Sequence, residues 1–243
     1  MRALRILLIV VVILGGLFVA VDRIAVHFAE GEVADRLKAA ENLSSTPDVS
    51  INGFPFLTQL AGSELDEVEV GMNDYEAAAG DGEKIRIDDL KARMRGVRFS
   101  GDYSSATAAS ATGTATIAYD ELLKAAKSEP TEVAPGITAR VVSLADGGNG
   151  KIKVGVEADV PVLGTQRLSV LSTVRVEGDR VEVRTDSLPQ LAGLDLAEES
   201  VRRITDFQQA IDDLPGGIRL DKVEAAADGV EISVKGSDVR LAG

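Results

Sequence analysis

The sequence predicts an α+β protein: an antiparallel sheet of many strands with few helices, set behind an N-terminal membrane segment. Three observations predict it. Sixteen uncharged residues, Ile6 to Val21, follow Arg2 and Arg5. From Asp48 onward most of the chain alternates between apolar and polar residues, the period of a half-buried strand. Only two later stretches, 22–42 and 195–214, carry apolar residues at spacings of three and four, the period of a helix.

The N-terminal run has the form of a secretion signal or a signal anchor, a basic region before an apolar one. With Ala3 and Leu4 it reaches the lower end of what spans a bilayer. Arg2 and Arg5 then stay in the cytoplasm, and everything after Asp22 crosses. No clean small-x-small cleavage site follows, which favours an uncleaved anchor; the alternative is a cleaved signal and secretion to the cell envelope. The expected organisation is 1–21 as anchor or signal peptide and 22–243 as a single domain outside the cytoplasm.

Val26, Ala29, Val33, Leu37 and Ala40 form one apolar stripe over 22–42, a helix that can continue directly from the membrane segment. Gly31 inside it costs roughly 1 kcal/mol against Ala, so packing must hold it. "SSTPD" ends it. "VSI" is a strand that runs into Gly53-Phe54-Pro55-Phe56. "LDEVEVGM" and "KIRIDDLKARMRGVRF" alternate. Ser100 to Thr116, "SGDYSSATAASATGTAT", is small and polar and reads as a flexible or edge segment. "GTATIAY" leads into a short helix, "DELLKAAK", stopped by Pro130. "GITARVVSL" and "KIKVGVEADV" flank the turn "ADGGNG", with Ile152, Val154, Val156, Ala158 and Val160 on one side. Two strands surround Gly178-Asp179, a hairpin signal, and the last two surround Asp228-Gly229. Between these pairs, Asp195 and Glu198 open a helix like a capping box. Ala197, Val201, Ile204, Phe207, Ile211 and Leu214 line its face, and Pro215-Gly216-Gly217 stops it. "QLAG" occurs at Gln59–Gly62 and again at Gln190–Gly193, weak evidence of duplication.

Composition excludes several chemistries. The chain has 243 residues, no cysteine, one histidine and a formal charge of −13. Without cysteine there are no disulfides, thiol nucleophiles or lipobox attachment. With His27 alone, histidine-based metal sites and Ser–His–Asp triads are excluded. No cofactor or metal is expected. The 26 basic residues less Arg2 and Arg5 leave 24 against 39 acidic beyond the span, −15, which argues against nucleic acid as a partner. It also argues against docking on anionic membranes by bulk charge. The carboxylate pairs Asp88-Asp89, Glu198-Glu199 and Asp212-Asp213 read as solvated faces. "ADGGNG" lacks the spacing of a calcium loop and reads as a hairpin turn.

The remaining signal is apolar. Phe54, Pro55, Phe56, Leu57 and Leu60 cluster past a strand end in a chain with six phenylalanines and no tryptophan. They are either a core plug or a tip that meets a membrane or the mouth of a lipid cavity. Val160, Pro161, Val162 and Leu163 form a second uncharged turn where polar residues are usual. The helices cover too little of the apolar sheet. Either the sheet curls on itself, or part of its face meets something that is not protein.

The N-terminal segment, the amphipathic helix, "VSINGFPFLTQLAGSELDEVEV", "GTATIAYDELLK" and the "GIRLDKVEAAADGVEISVKGSDVRL" tail together resemble the actinobacterial DUF2993 family of LmeA-like phospholipid-binding proteins. The resemblance implies a fold similar to tubular lipid-binding (TULIP-like) domains: a long curved antiparallel sheet wrapped against helices, with an apolar groove. It implies a non-enzymatic, extracytoplasmic envelope protein that carries or presents phospholipid in envelope biogenesis, attached to the membrane through the N-terminal helix. Val154, Val156, Val170, Val174, Val181 and Val183 are then candidates for the groove lining, and the two uncharged turns for its mouth or a membrane contact. The competing readings are a non-lipid scaffold whose sheet closes fully on its helices, and a hydrolase or transferase with a carboxylate pair across a cleft.

Overall fold

The apolar run and the helix after it form one element. In the computed structural model, which describes residues 2–40, 42–78, 84–102, 105–125, 129–161, 163–178, 180–186, 202, 205–210 and 217–242, α1 (Arg2–Ala40) is unbroken. At 1.5 Å per residue it is about 58 Å long. Residues 4–21 are exposed on every side, and the helix is long and apolar enough to cross a membrane. From Asp22 onward it lies against the sheet. Asp22, Val26 and Ala34 are buried, while Ala29 and Leu37 are half-buried. Val33 and Ala40, expected on the packed stripe, are exposed.

The strands build two antiparallel sheets, one of them curled into a half-barrel. The first orders β1 (Asp48–Asn52), β2 (Glu64–Met72), β4 (Lys84–Phe99), β5 (Ala106–Ala118), β13 (Gly229–Ala242) and β12 (Ile218–Ala225), with the short β3 (Tyr75–Ala78) also on β4. α2 (Phe56–Ala61) joins β1 to β2, and α3 (Tyr119–Ala125) follows β5. The second sheet orders β11 (Phe207–Ala210), β10 (Arg180–Thr185), β9 (Gly164–Glu177), β8 (Lys151–Val160), β7 (Ile137–Asp146) and β6 (Thr131–Ala134). β12 packs on β9 and β8, and α3 on β7. The larger core lies where these sheets meet. There Val154, Val156, Val170 and Val174 pack with Leu220, Val223 and Val230. Tyr119 closes one side of it, its hydroxyl donating to the Ala226 carbonyl at 2.8 Å. A smaller core joins α1 and α2 to the first sheet through Val26, Phe56, Leu65, Val97, Ala108 and Val239.

A crease crosses the first sheet. The inward-facing residue advances by three instead of two at one level on four neighbouring strands: Leu65 to Val68, Val97 to Met94, Ala108 to Ala111, Val239 to Gly236. Gly96 (φ +58°) and Asp238 (φ +51°) lie within those steps. A left-handed residue resets the alternation, as at a bulge.

Two expectations are corrected. Ala106 to Thr116 belongs to β5, an internal strand paired along its length with β4 and β13; small side chains do not weaken a strand whose neighbours supply the bulk. Phe207, expected on a helix, pairs as a strand with Val183 of β10. Most of the rest of that expected helix, 195–214, lies outside the described residues, as do 190–193 and Glu198-Glu199 and Asp212-Asp213.

Candidate functional site

The inward face of the first sheet carries apolar rows that run across six strands. One is Ile51, Val68, Met94, Ala111, Gly236 and Ile218. The next is Val49, Val70, Ala92, Gly113, Val234 and Leu220. The ends of this second row, Val49 and Leu220, are buried, one on β1, the strand that α1 packs against, and the other in the core between the sheets. Its middle is different: Val70, Ala92, Gly113 and Val234 are only half-buried. So are Met72, Leu90, Ala115 and Ile232 beyond them. Along β5 the floor is small, Ala111, Gly113 and Ala115, about 14 Å of strand. On the flanking strands Met94 and Gly236 stand beside Ala111, Ala92 and Val234 beside Gly113, and Ile232 beside Ala115. The low floor beside Val234 and Ile232, with Met94 at one corner and Val70 one strand further out, makes a shallow furrow along the strand. Val234 leans over Gly113: a Cβ there would meet its Cγ2 at 2.8 Å.

This furrow is not among the residues that the sequence singles out. Its signal is present, however, in "SATGTAT", where Ala111, Gly113 and Ala115 alternate with Thr112, Thr114 and Thr116. The hydroxyls point outward, and the alternation is that of a strand whose inward side chains are small.

The Phe-Pro-Phe tip divides in two. Phe56 is 4% exposed and belongs to the core under α1, with Leu57 packed against it. Phe54 is 57% exposed, Pro55 half-buried and Leu60 exposed. As a groove-mouth or membrane-contact residue Phe56 is therefore corrected to core, because α2 begins there and turns its ring inward. The tip is held to α1 by polar contacts. The Leu57 amide donates to Asp22 Oδ1 at 2.8 Å, and Arg23 pairs with Asp22 Oδ2 at 2.6 Å. The Arg23 guanidinium carbon stands 5.3 Å from the centre of the Phe54 ring, a cation–π distance.

At the second turn, Val160 is buried at the end of β8, a correction to its assignment to an exposed mouth; the strand's inward parity carries it into the core. Pro161 and Leu163 are exposed, and Val162 lies outside the described residues. The valines expected to line a groove share one face. Val154, Val156, Val170 and Val174 are buried, and Val181 and Val183 are packed against them. They form packed core between the sheets, adjoining the furrow at Val234 and Ile232.

The outward faces are ionic. Glu157 lies between Arg140 at 2.8 Å and Arg167 at 3.0 Å, and those two hydrogen bonds hold its carboxyl below the ordinary range. Arg95 does the same for Glu67 at 2.6 Å. Arg93 pairs with Glu69 beside it. These are cross-strand pairs on solvated surfaces, where salt screening and side-chain entropy offset most of the attraction. His27 is exposed on α1, Asp88 and Asp89 sit near the end of β4, and Asp146–Gly150 is the tight turn between β7 and β8. Among the described residues no group of His, Asp and Glu could hold a metal ion.

An ionic exterior around an apolar, incompletely covered interior suits a lipid better than a polar substrate. No curated protein and no solved structure matches the chain. The family model for LmeA-like phospholipid-binding proteins matches residues 20–235, almost the whole chain beyond the apolar run. The chain belongs to the LmeA-like phospholipid-binding family.

Proposed function

We propose that this protein holds a phospholipid by its acyl chains in the furrow over β4, β5 and β13, outside the cytoplasm, and carries or presents it in the building of the cell envelope. α1 attaches it to the membrane as an uncleaved anchor, and the domain performs no catalysis. The observation that carries the reading is the row Val49–Leu220, apolar across six strands, with both ends buried and its middle half-covered. Burial of acyl chain yields about 0.8 kcal/mol per CH₂. A shallow apolar furrow therefore suffices for binding, and polar contacts are needed only to choose among head groups. In support of a binding role, the ion pairs of Glu157, Glu67 and Glu69 lie on outward faces and the one histidine lies exposed on α1.

Uptake of a fluorescent phospholipid from vesicles tests the proposal. Ala92→Phe and Ala115→Phe each place a ring over the floor and should abolish uptake while the protein stays folded. Unchanged uptake by both variants would rule the furrow out.

A further inference from the structure

The end of the membrane span and the Phe54 tip are at one level. Val21 is the last residue of the apolar run. Its successors Asp22 and Arg23 are the two residues that hold the tip, through the Leu57 amide and the Phe54 ring. Two large apolar side chains stay exposed on α1 beyond that point, beside the exposed His27: Ile24 and Phe28 are 58% and 75% exposed. Phe28 lies about 10 Å past Val21 along the helix. An exposed Ile–Phe pair, one turn apart, is satisfied where the helix still runs through the boundary between acyl chains and head groups. That places the boundary at or above Arg23, and hence at or above Phe54.

From this we infer that Phe54 inserts into the head-group boundary of the same bilayer that α1 crosses, seating the domain on the membrane with the α2 end of the first sheet downward. The inference rests on α1 being a membrane anchor. Each component then has a physical role. Arg23 lays its stem along the boundary while its guanidinium, paired with Asp22, covers one face of the ring. Aromatic side chains are favoured at that depth. The domain's −15 charge offers no attraction to an anionic surface, so the contact is apolar and insensitive to salt. Seating also fixes the furrow's direction: its strands end at the small core behind Phe56, next to the bilayer from which a lipid would enter.

The absence of tryptophan makes the test direct. Full-length Phe54→Trp and Leu14→Trp proteins, each with a single tryptophan, are reconstituted in phosphatidylcholine vesicles brominated either near the glycerol backbone or near the chain ends. The expected result is that Phe54→Trp loses most of its emission to the shallow bromines, in low and high salt alike, while Leu14→Trp loses it to the deep ones. If Leu14→Trp is quenched and Phe54→Trp keeps a solvent-like, unquenched spectrum, the anchor stands and the seating is overturned. If neither is quenched, α1 does not enter the bilayer and the inference falls with the anchor. Phe54 is exposed, so its replacement by tryptophan leaves the core intact; a thermal melt matching that of the parent confirms this for each variant.

Discussion

The Asp22 carboxylate, on the first residue past the apolar run, accepts the backbone amide of Leu57 at 2.8 Å with none of its surface open to solvent. α2 has no side-chain cap of its own, since Pro55 stands at its N-cap. A helix start leaves amides without partners, and α1 supplies the missing acceptor from 35 residues away. The contact ties α1 and the β domain together. Asp22→Ala is expected to lower the melting temperature and expose the 20–60 region to protease, with Asp22→Asn milder because its side-chain oxygen can still accept. Equal melting of wild type and Asp22→Ala would show that α1 docks without this bond.

The two phenylalanines of the tip should behave differently. Phe56→Ala removes a ring from the core and should cost about 3–5 kcal/mol. Phe54→Ser removes an exposed ring and one cation–π contact and should cost about 1 kcal/mol or less. Urea denaturation of the two single variants measures both. A severe loss with Phe54→Ser would make the whole tip a core plug. A double replacement would mix the two effects, because Phe56 alone unsettles the fold.

Acid should destabilise the protein. The carboxyls of Glu157, Glu67 and Glu121 are held below the ordinary 4.5 chiefly by hydrogen bonds from Arg140, Arg95 and Lys124 respectively. The unfolded chain therefore takes up protons at a higher pH than the folded one, and stability rises with pH across that interval. Their contribution is complete above 4.5 and is lost as the pH falls from there through the lower folded values. Melting temperatures measured across this range should fall with acidification, and less steeply in Glu157→Gln. Parallel profiles for variant and parent would remove Glu157 from the account.

What the sequence makes legible is what bulky alternation makes legible. Ile152, Val154, Val156, Ala158 and Val160 share a face because the strand period is two, and all five are buried. The turns at Gly178 and Asp228 follow from residues that favour hairpins, and α1 continues unbroken from the apolar run, with Val26, Ala29 and Leu37 of its stripe at least half-buried. β5 is harder to see. Its inward residues are Ala and Gly, and its partner Val239 lies more than a hundred residues away at Ala108. Local composition carries no trace of such a pairing. Phe207 is lost to the helical reading because its spacing fits both periods, and the pairing with Val183 decides between them. The crease depends on φ values at Gly96 and Asp238, and an aspartate does not announce a left-handed conformation. The furrow depends on β5 and on the crease together, so it could not be assembled from the sequence, although the phospholipid-binding family could be recognised there.

The central claim is that the half-covered face of the first sheet holds a phospholipid. The most direct measurement is native mass spectrometry of residues 22–243, produced without the apolar run and purified without detergent, followed by organic extraction of the same sample. The account predicts one phospholipid per chain that survives purification and is missing from Ala92→Phe. A bare protein mass that takes up nothing from added phospholipid vesicles would contradict it, and would mean that the sheet is closed and serves a protein partner instead.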